Sequence, residues 1–229
     1  QVDDDQLENG EFWLTKEPPI YVPVSDKIEK EFIRFIQSND SFSMEETAYT
    51  INQNLPGLIP ASQYHLQRLF ASYCVSNPEK PGIWSRKPNE SINLRKQDIL
   101  ELRKIVYFIG NKLGYEVVGE NPIIWNSSEQ INNFQFFITA SSIISQFQTK
   151  IDPDISEVVI IFPGSRSNLI SYKIKNDPIY KQHFGKYHYV KFRHIRRIYE
   201  NPDLDHKTWG KLLDNDPAVF QETNQPVLF

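Results

Sequence analysis

The sequence contains a single cysteine, Cys74, among its 229 residues, so no disulfide can form within the chain. It has no Cys/His spacing typical of structural zinc, and we predict neither a metal nor another cofactor. No apolar run approaches the roughly 20 residues that a transmembrane helix needs. The first residues, QVDDDQLENGEF, lack the apolar stretch of a signal peptide. These absences predict a soluble protein of a reducing, cytoplasmic compartment without a membrane partner.

The charge is distributed unevenly along the chain. The net charge of -4 argues against indiscriminate binding to nucleic acid. Residues 165–197 nevertheless hold nine Lys/Arg and one acid, Asp177. A basic segment within an acidic chain is typical of a local phosphate-binding face. The alternative is a solvated surface that is basic without binding anything.

The first third of the chain predicts a linker followed by three helices. Residues 1–24 are rich in acids and proline, which favours an extended arm. Asp26 and Glu29 have the spacing of a capping box at the start of a helix, and Ser43 and Glu46 repeat that signal. A third helix is predicted over residues 61–74.

The segment GIWSRKPNESINL predicts a hairpin after the third helix, with Arg86 and Lys87 at its basic tip. Three helices followed by a hairpin resemble a winged-helix domain, which we place at residues 25–93. In that arrangement the third helix enters the major groove of DNA. It would present Gln63, Gln67 and Arg68 to the bases.

The remaining residues, 94–229, predict an α/β domain with a C-terminal helix and tail. Their order of helix, three strands, helix, strand, helix and strand resembles the core of the PD-(D/E)XK nucleases over about residues 95–195. That resemblance implies an acid near the second strand and an acid-x-Lys pair on the third, because carboxylates hold Mg²⁺.

The nuclease pattern fails at the positions that carry its chemistry. Ile123 follows Pro122 where the family has an acid, and the third strand, NFQFFITA, contains neither acid nor lysine. We therefore predict a degenerate, pseudo-nuclease domain without enzyme activity. Glu116 and Glu120 could form an unorthodox metal site, although exposed hairpin glutamates explain them better.

Two motifs in the basic segment indicate phosphate binding. In FPGSRSN, Ser165, Arg166 and Ser167 precede a helix whose free N–H groups favour an anion; the alternative is an ordinary capped turn. In HYVKFRHIRRIYEN, basic residues alternate with aromatic ones, which suits backbone contact plus stacking; burial of their apolar stems explains the pattern nearly as well. The candidate basic ligands of this segment are Arg166, Lys173, Lys191, Arg193, Arg196 and Arg197.

The phrases LPGLIP, GNKLGYEV, FPGSRSNLI and VKFRHIRRIYENP look similar to the C-terminal region of large bacterial DNA-methylation and defence-associated proteins. No methyltransferase motif occurs. The resemblance implies a DNA-engaging accessory domain, with DNA and a catalytic protein as partners. The sequence therefore predicts a non-catalytic DNA-binding or target-recognition module of the α+β class. Its alternatives are a protein-interaction scaffold and a metal-dependent nuclease with migrated ligands.

Overall fold

A computed structural model of the chain describes residues 22–58, 60–127 and 132–215. The predicted arm, up to residue 21, and the predicted tail beyond residue 215 lie outside the described residues. The helices are α1 (Val24–Ser38), α2 (Met44–Asn54), α3 (Gln63–Tyr73), α4 (Ile92–Lys112), α5 (Ser167–Asn176), α6 (Pro178–His183), α7 (Phe192–Tyr199) and α8 (His206–Asn215). The strands are β1 (Phe42–Ser43), β2 (Cys74–Ser76), β3 (Ile83–Arg86), β4 (Glu116–Val118), β5 (Ile123–Asn126), β6 (Phe134–Ile138), β7 (Glu157–Phe162) and β8 (His188–Lys191).

The first half, from α1 to β3, packs three helices against a small antiparallel sheet of order β1-β3-β2. Ser43 begins α2 as predicted, because its hydroxyl accepts a hydrogen bond from the Glu46 N–H at 3.0 Å. Phe32, Phe42 and Phe70 form the aromatic centre of this half, and the ring centroids of Phe32 and Phe70 are 5.3 Å apart. The three helices of the first half are present in the predicted order.

Two local predictions for this half are wrong. Asp26 and Glu29 do not form a capping box: α1 begins at Val24, and both carboxyl groups are buried against residues of the second half. The hairpin also forms earlier in the chain than predicted, with its tip between Ser76 and Ile83. The predicted return strand is a 3₁₀ turn at Pro88–Glu90.

The second half is built on a mixed sheet of order β4-β5-β6-β7-β8. The first three strands are antiparallel, and β6, β7 and β8 are parallel. β6 and β7 are apolar on both faces because helices cover both sides of the sheet. Phe136 and Val159 pack toward α4, α7 and α8, while Phe137 and Ile160 pack on the opposite side with α5 and α6.

The connections between the parallel strands differ from the prediction. A 3₁₀ helix at Ser145–Lys150 replaces the helix expected at residues 142–147, and the short helix α6 was not predicted. The predicted domain boundary at residue 93 falls within the first turn of α4. The α+β class is confirmed. No helix of the described part of the chain is long and apolar enough to cross a membrane.

The two halves share a packed junction. Leu169 of α5 is fully buried in the hydrophobic core of the first half, where Tyr172 also packs. α5 lies against α3, and the His65 ring stacks on the Tyr172 ring with centroids 5.0 Å apart. The second half therefore completes the core of the first.

Candidate nucleic-acid interface

A buried ionic cluster joins α1 to α5 at the junction. The Lys173 ammonium donates to Asp26 at 2.5 Å and also to Glu29, and none of these three side chains is exposed. Tyr180 and Ser145 add hydroxyl hydrogen bonds to Asp26, at 2.6 and 2.5 Å. The cluster satisfies the buried charges with one another, as buried ions require.

The surroundings of the cluster fix its ionised form. Burial alone would raise the pKa of Glu29, but the Lys173 ammonium and hydrogen bonds from Ser142 and Tyr73 outweigh it and hold the pKa below its usual value. Burial alone would lower the pKa of Lys173, but Glu29 and Asp26 raise it. Lys173 is therefore held as a cation within the protein.

Arg166 forms a second buried junction between the halves. Its guanidinium donates to Glu90 at 2.5 Å, to the Ser72 carbonyl at 2.6 Å and to the Ala140 carbonyl at 3.1 Å. It also lies 3.4 Å from the centre of the Tyr73 ring. All of these partners belong to the protein, so this side chain has no free surface for a phosphate.

The predicted basic face of residues 165–197 is therefore only partly exposed. Four of its proposed ligands are buried: Arg166, Ser167, Lys173 and Lys191. Arg196 pairs with Asp98 and Glu101 of α4, at 2.6 and 2.9 Å. Arg193 and Arg197 are exposed, and Ser165 is half-buried beside Glu90. The prediction of one continuous phosphate-binding face is wrong, because this segment supplies the junction as well as the surface.

The predicted hairpin residues lie at the base of the hairpin. Arg86 is paired with Cys74, directly after α3. The Lys87 ammonium donates to the carbonyl groups of Ala71 and Ser72, at 2.5 and 3.3 Å, where α3 ends. Lys87 thus stabilises the C-terminal end of α3, and only Arg86 of the pair lines a groove.

The helix predicted to contact DNA bases, α3, has the predicted polar side chains on its outer side. Gln63 and Gln67 are exposed, and Arg68 is half-buried over the Tyr64 ring, 4.6 Å from its centre. Tyr64 of the same helix is half-exposed, whereas His65 is buried. His65 is buried because α5 covers the side of α3 that carries it.

A groove with a volume of about 390 Å³ opens between α1, α4 and the end of β6. Five basic side chains line it against one acid, Glu90. Arg95 and Arg166 both pair with Glu90, and Arg95 also pairs with Asp98. Within the described ranges, the other three form no side-chain hydrogen bond or ion pair: Arg86, Lys96 and Arg103. The groove therefore carries uncompensated positive charge.

Two of the three groove cations without an acidic partner were not predicted from the sequence. Lys96 and Arg103 lie seven residues apart on α4, which places them on one helical face together with Ile99. The seven-residue spacing is visible in the sequence, but charged residues at such a spacing are equally typical of an ordinary solvent-exposed helix face. Only the tertiary structure, which brings residues of α1, α4 and the end of β6 to one pocket, shows that this face lines a groove.

The residues at the nuclease positions do not fit a metal. The Gln135 amide is buried and bonds to the Lys150 carbonyl and the Asp152 N–H, at 2.8 and 3.1 Å, so it holds a loop. Glu116 and Glu120 are exposed. Across the described ranges no group of three or more His, Cys, Asp or Glu is arranged to hold a metal ion.

Fold and site together define a two-part α+β chain with a cationic groove at the junction. No family model matches the sequence, and no curated protein matches it. A solved structure of the restriction endonuclease FokI is similar, with a TM-score of 0.31 and 8% identity. The similarity covers 80% of this chain and 46% of that chain, so the chain spans about half the length of that protein. A likeness at this level supports no functional argument.

Proposed function

We propose that the chain is a DNA-binding module that holds backbone phosphates in the groove between its halves. The observation that carries this proposal is the set of three groove cations without an acidic partner among the described residues, Arg86, Lys96 and Arg103. Cations that line one groove repel each other, and phosphate oxygens bound between them would remove this electrostatic repulsion. The neighbouring cations, Arg95 and Arg166, already pair with acidic side chains.

The exposed face of α3 gives the proposal a means of reading sequence. Gln63 and Gln67 are exposed carboxamides, which form bidentate hydrogen bonds to adenine in the major groove of DNA. The major groove of A-form RNA is too deep and narrow for this contact, so we propose DNA as the partner. The first half, with three helices and a hairpin, would act as a winged-helix reading unit.

The second half would serve as a degenerate restriction-endonuclease-like scaffold. It contributes α4 and Arg103 to the groove, while its nuclease positions carry no acid-x-Lys pair. We therefore propose an accessory or target-recognition role beside a catalytic partner in a larger DNA-modification or defence protein. Exposed Arg193 and Arg197 would extend the phosphate contacts beyond the groove.

Replacing Arg86, Lys96 and Arg103 with alanine, singly and together, tests the groove. Each phosphate contact releases counterions, so each loss should flatten the dependence of log K on log salt by about one unit. Fluorescence anisotropy with duplex DNA from low to physiological salt measures both affinity and slope.

Lys104→Ala is the matched control, because Lys104 is an exposed lysine of α4 that does not line the groove. It should keep both affinity and slope. If the groove variants behave like Lys104→Ala, the groove does not hold DNA. Wild-type protein that fails to bind DNA at low salt would favour the protein-interaction alternative.

A further inference from the structure

Three carboxamide side chains surround the same groove. Gln37 lies at the end of α1, Asn121 in the turn between β4 and β5, and Gln146 in the 3₁₀ helix Ser145–Lys150. All three are exposed, and none forms a side-chain hydrogen bond to the part of the chain that the structure describes. Each carboxamide offers both a donor and an acceptor, which phosphate binding alone does not require.

The groove also has apolar lining residues. Ile33 of α1, Ile99 of α4 and Ile138 at the end of β6 come from three separate elements and all line it. A volume of about 390 Å³ is in the range of small-molecule sites. It is far too small for a DNA duplex but suits one planar group with an attached charge.

We infer that the groove accepts a single unpaired nucleotide of the bound DNA. The base would lie against the isoleucines, its edge would bond to the carboxamides, and its phosphates would contact the groove cations. This inference rests on the proposed function and deepens it: the protein would prefer DNA with an unpaired nucleotide, because a paired base must first be removed from its stack.

The test compares a fully paired duplex with the same duplex carrying one extra nucleotide, 2-aminopurine, whose fluorescence rises when it leaves the stack. We expect the bulged DNA to bind about tenfold more tightly, with a rise in fluorescence on binding. The double variant Gln37→Ala, Gln146→Ala should lose that preference while its affinity for paired duplex stays unchanged. Gln97→Ala is the control, since Gln97 is an exposed carboxamide of α4 outside the groove.

The outcomes separate the inference from the proposed function. Equal affinity for both DNAs, with the groove cations still required, overturns the nucleotide inference and leaves DNA binding intact. A preference that survives in the double variant overturns the assignment of the base to this groove. Absence of binding to either DNA at low salt overturns the proposed function, and the inference with it.

Discussion

At the scale of single residues, Tyr73 links the two buried cations of the junction. Its hydroxyl donates to Glu29 of the Lys173 cluster, and its ring lies under the Arg166 guanidinium. Burial raises its pKa well above the usual value, so the phenol stays protonated and keeps donating. One aromatic residue thus connects the ionic cluster to the wall of the groove, and both are fixed by the same packing.

His65 makes stability depend on pH at this junction. Burial, and then the Lys173 cation, lower its pKa to about 4, while Glu29 and Asp177 oppose the shift. The unfolded chain takes up this proton near pH 6.5, so the stabilisation is present above that pH and is lost as pH falls toward 4. The expected loss of unfolding free energy is on the order of 3 kcal/mol. Urea unfolding across this range measures it.

The variant His65→Gln isolates this contribution. It should flatten the decline in stability between pH 6.5 and 4, while Glu29, whose pKa is lowered, still destabilises the fold at more acidic pH. An unchanged decline in the variant would assign the pH dependence to other groups.

At the scale of elements, α4 makes different contacts on three of its sides. Leu102, Val106 and Ile109 are fully buried beneath the second sheet, Asp98 and Glu101 hold Arg196 of α7, and a third side lines the groove. Its hydrophobic period was clear in the sequence because burial repeats every turn. The sequence does not show which polar side of α4 contacts α7 and which lines the groove, because both sides contain ordinary charged residues.

The prediction about DNA sequence preference concerns the exposed side chains of α3. Changing Gln63 and Gln67 to alanine should reduce discrimination between DNA sequences by about 1–3 kcal/mol for each lost bidentate contact, with little change in general affinity. Selection from a randomised duplex library, followed by affinity measurement, shows the change. Gln53→Ala, at an exposed carboxamide of α2, is the control. Identical preferences in all three proteins would exclude α3 as the reading element.

At the scale of the whole molecule, the junction couples the two halves. The buried ionic cluster and Leu169 both cross it, so neither half retains its core contacts when the other unfolds. The fixed junction also fixes the groove, because both α1 and α4 contribute residues to its lining. A groove of constant shape follows from this coupling.

Replacing Lys173 with methionine tests the coupling. It leaves the buried carboxylates of Asp26 and Glu29 without their cation, so the unfolding free energy should fall by about 3–5 kcal/mol. Hydrogen exchange should show equal losses of protection in α1 and β7. Lys181→Met, at an exposed lysine of α6, should change little. Loss of protection in α1 alone would show that the halves unfold separately.

The sequence by itself determined the elements whose signals are local. The hydrophobic period of α4, the Ser43 cap of α2 and the hairpin of β4 and β5 all depend on residues within a few positions of each other, and the structure confirms them. The absence of the acid-x-Lys pair could also be established from the sequence, because it depends only on the residue types in the segment NFQFFITA.

Only the tertiary structure decided which charged residues face solvent. Lys173 and Lys104 are both lysines on amphipathic helices, yet Lys173 is buried against Asp26, 147 positions away in the chain, while Lys104 is exposed. A charge can leave water only where a distant partner compensates it, and no local window contains that partner. For the same reason the groove, which residues of both α1 and α4 line, could not be derived from either helix alone.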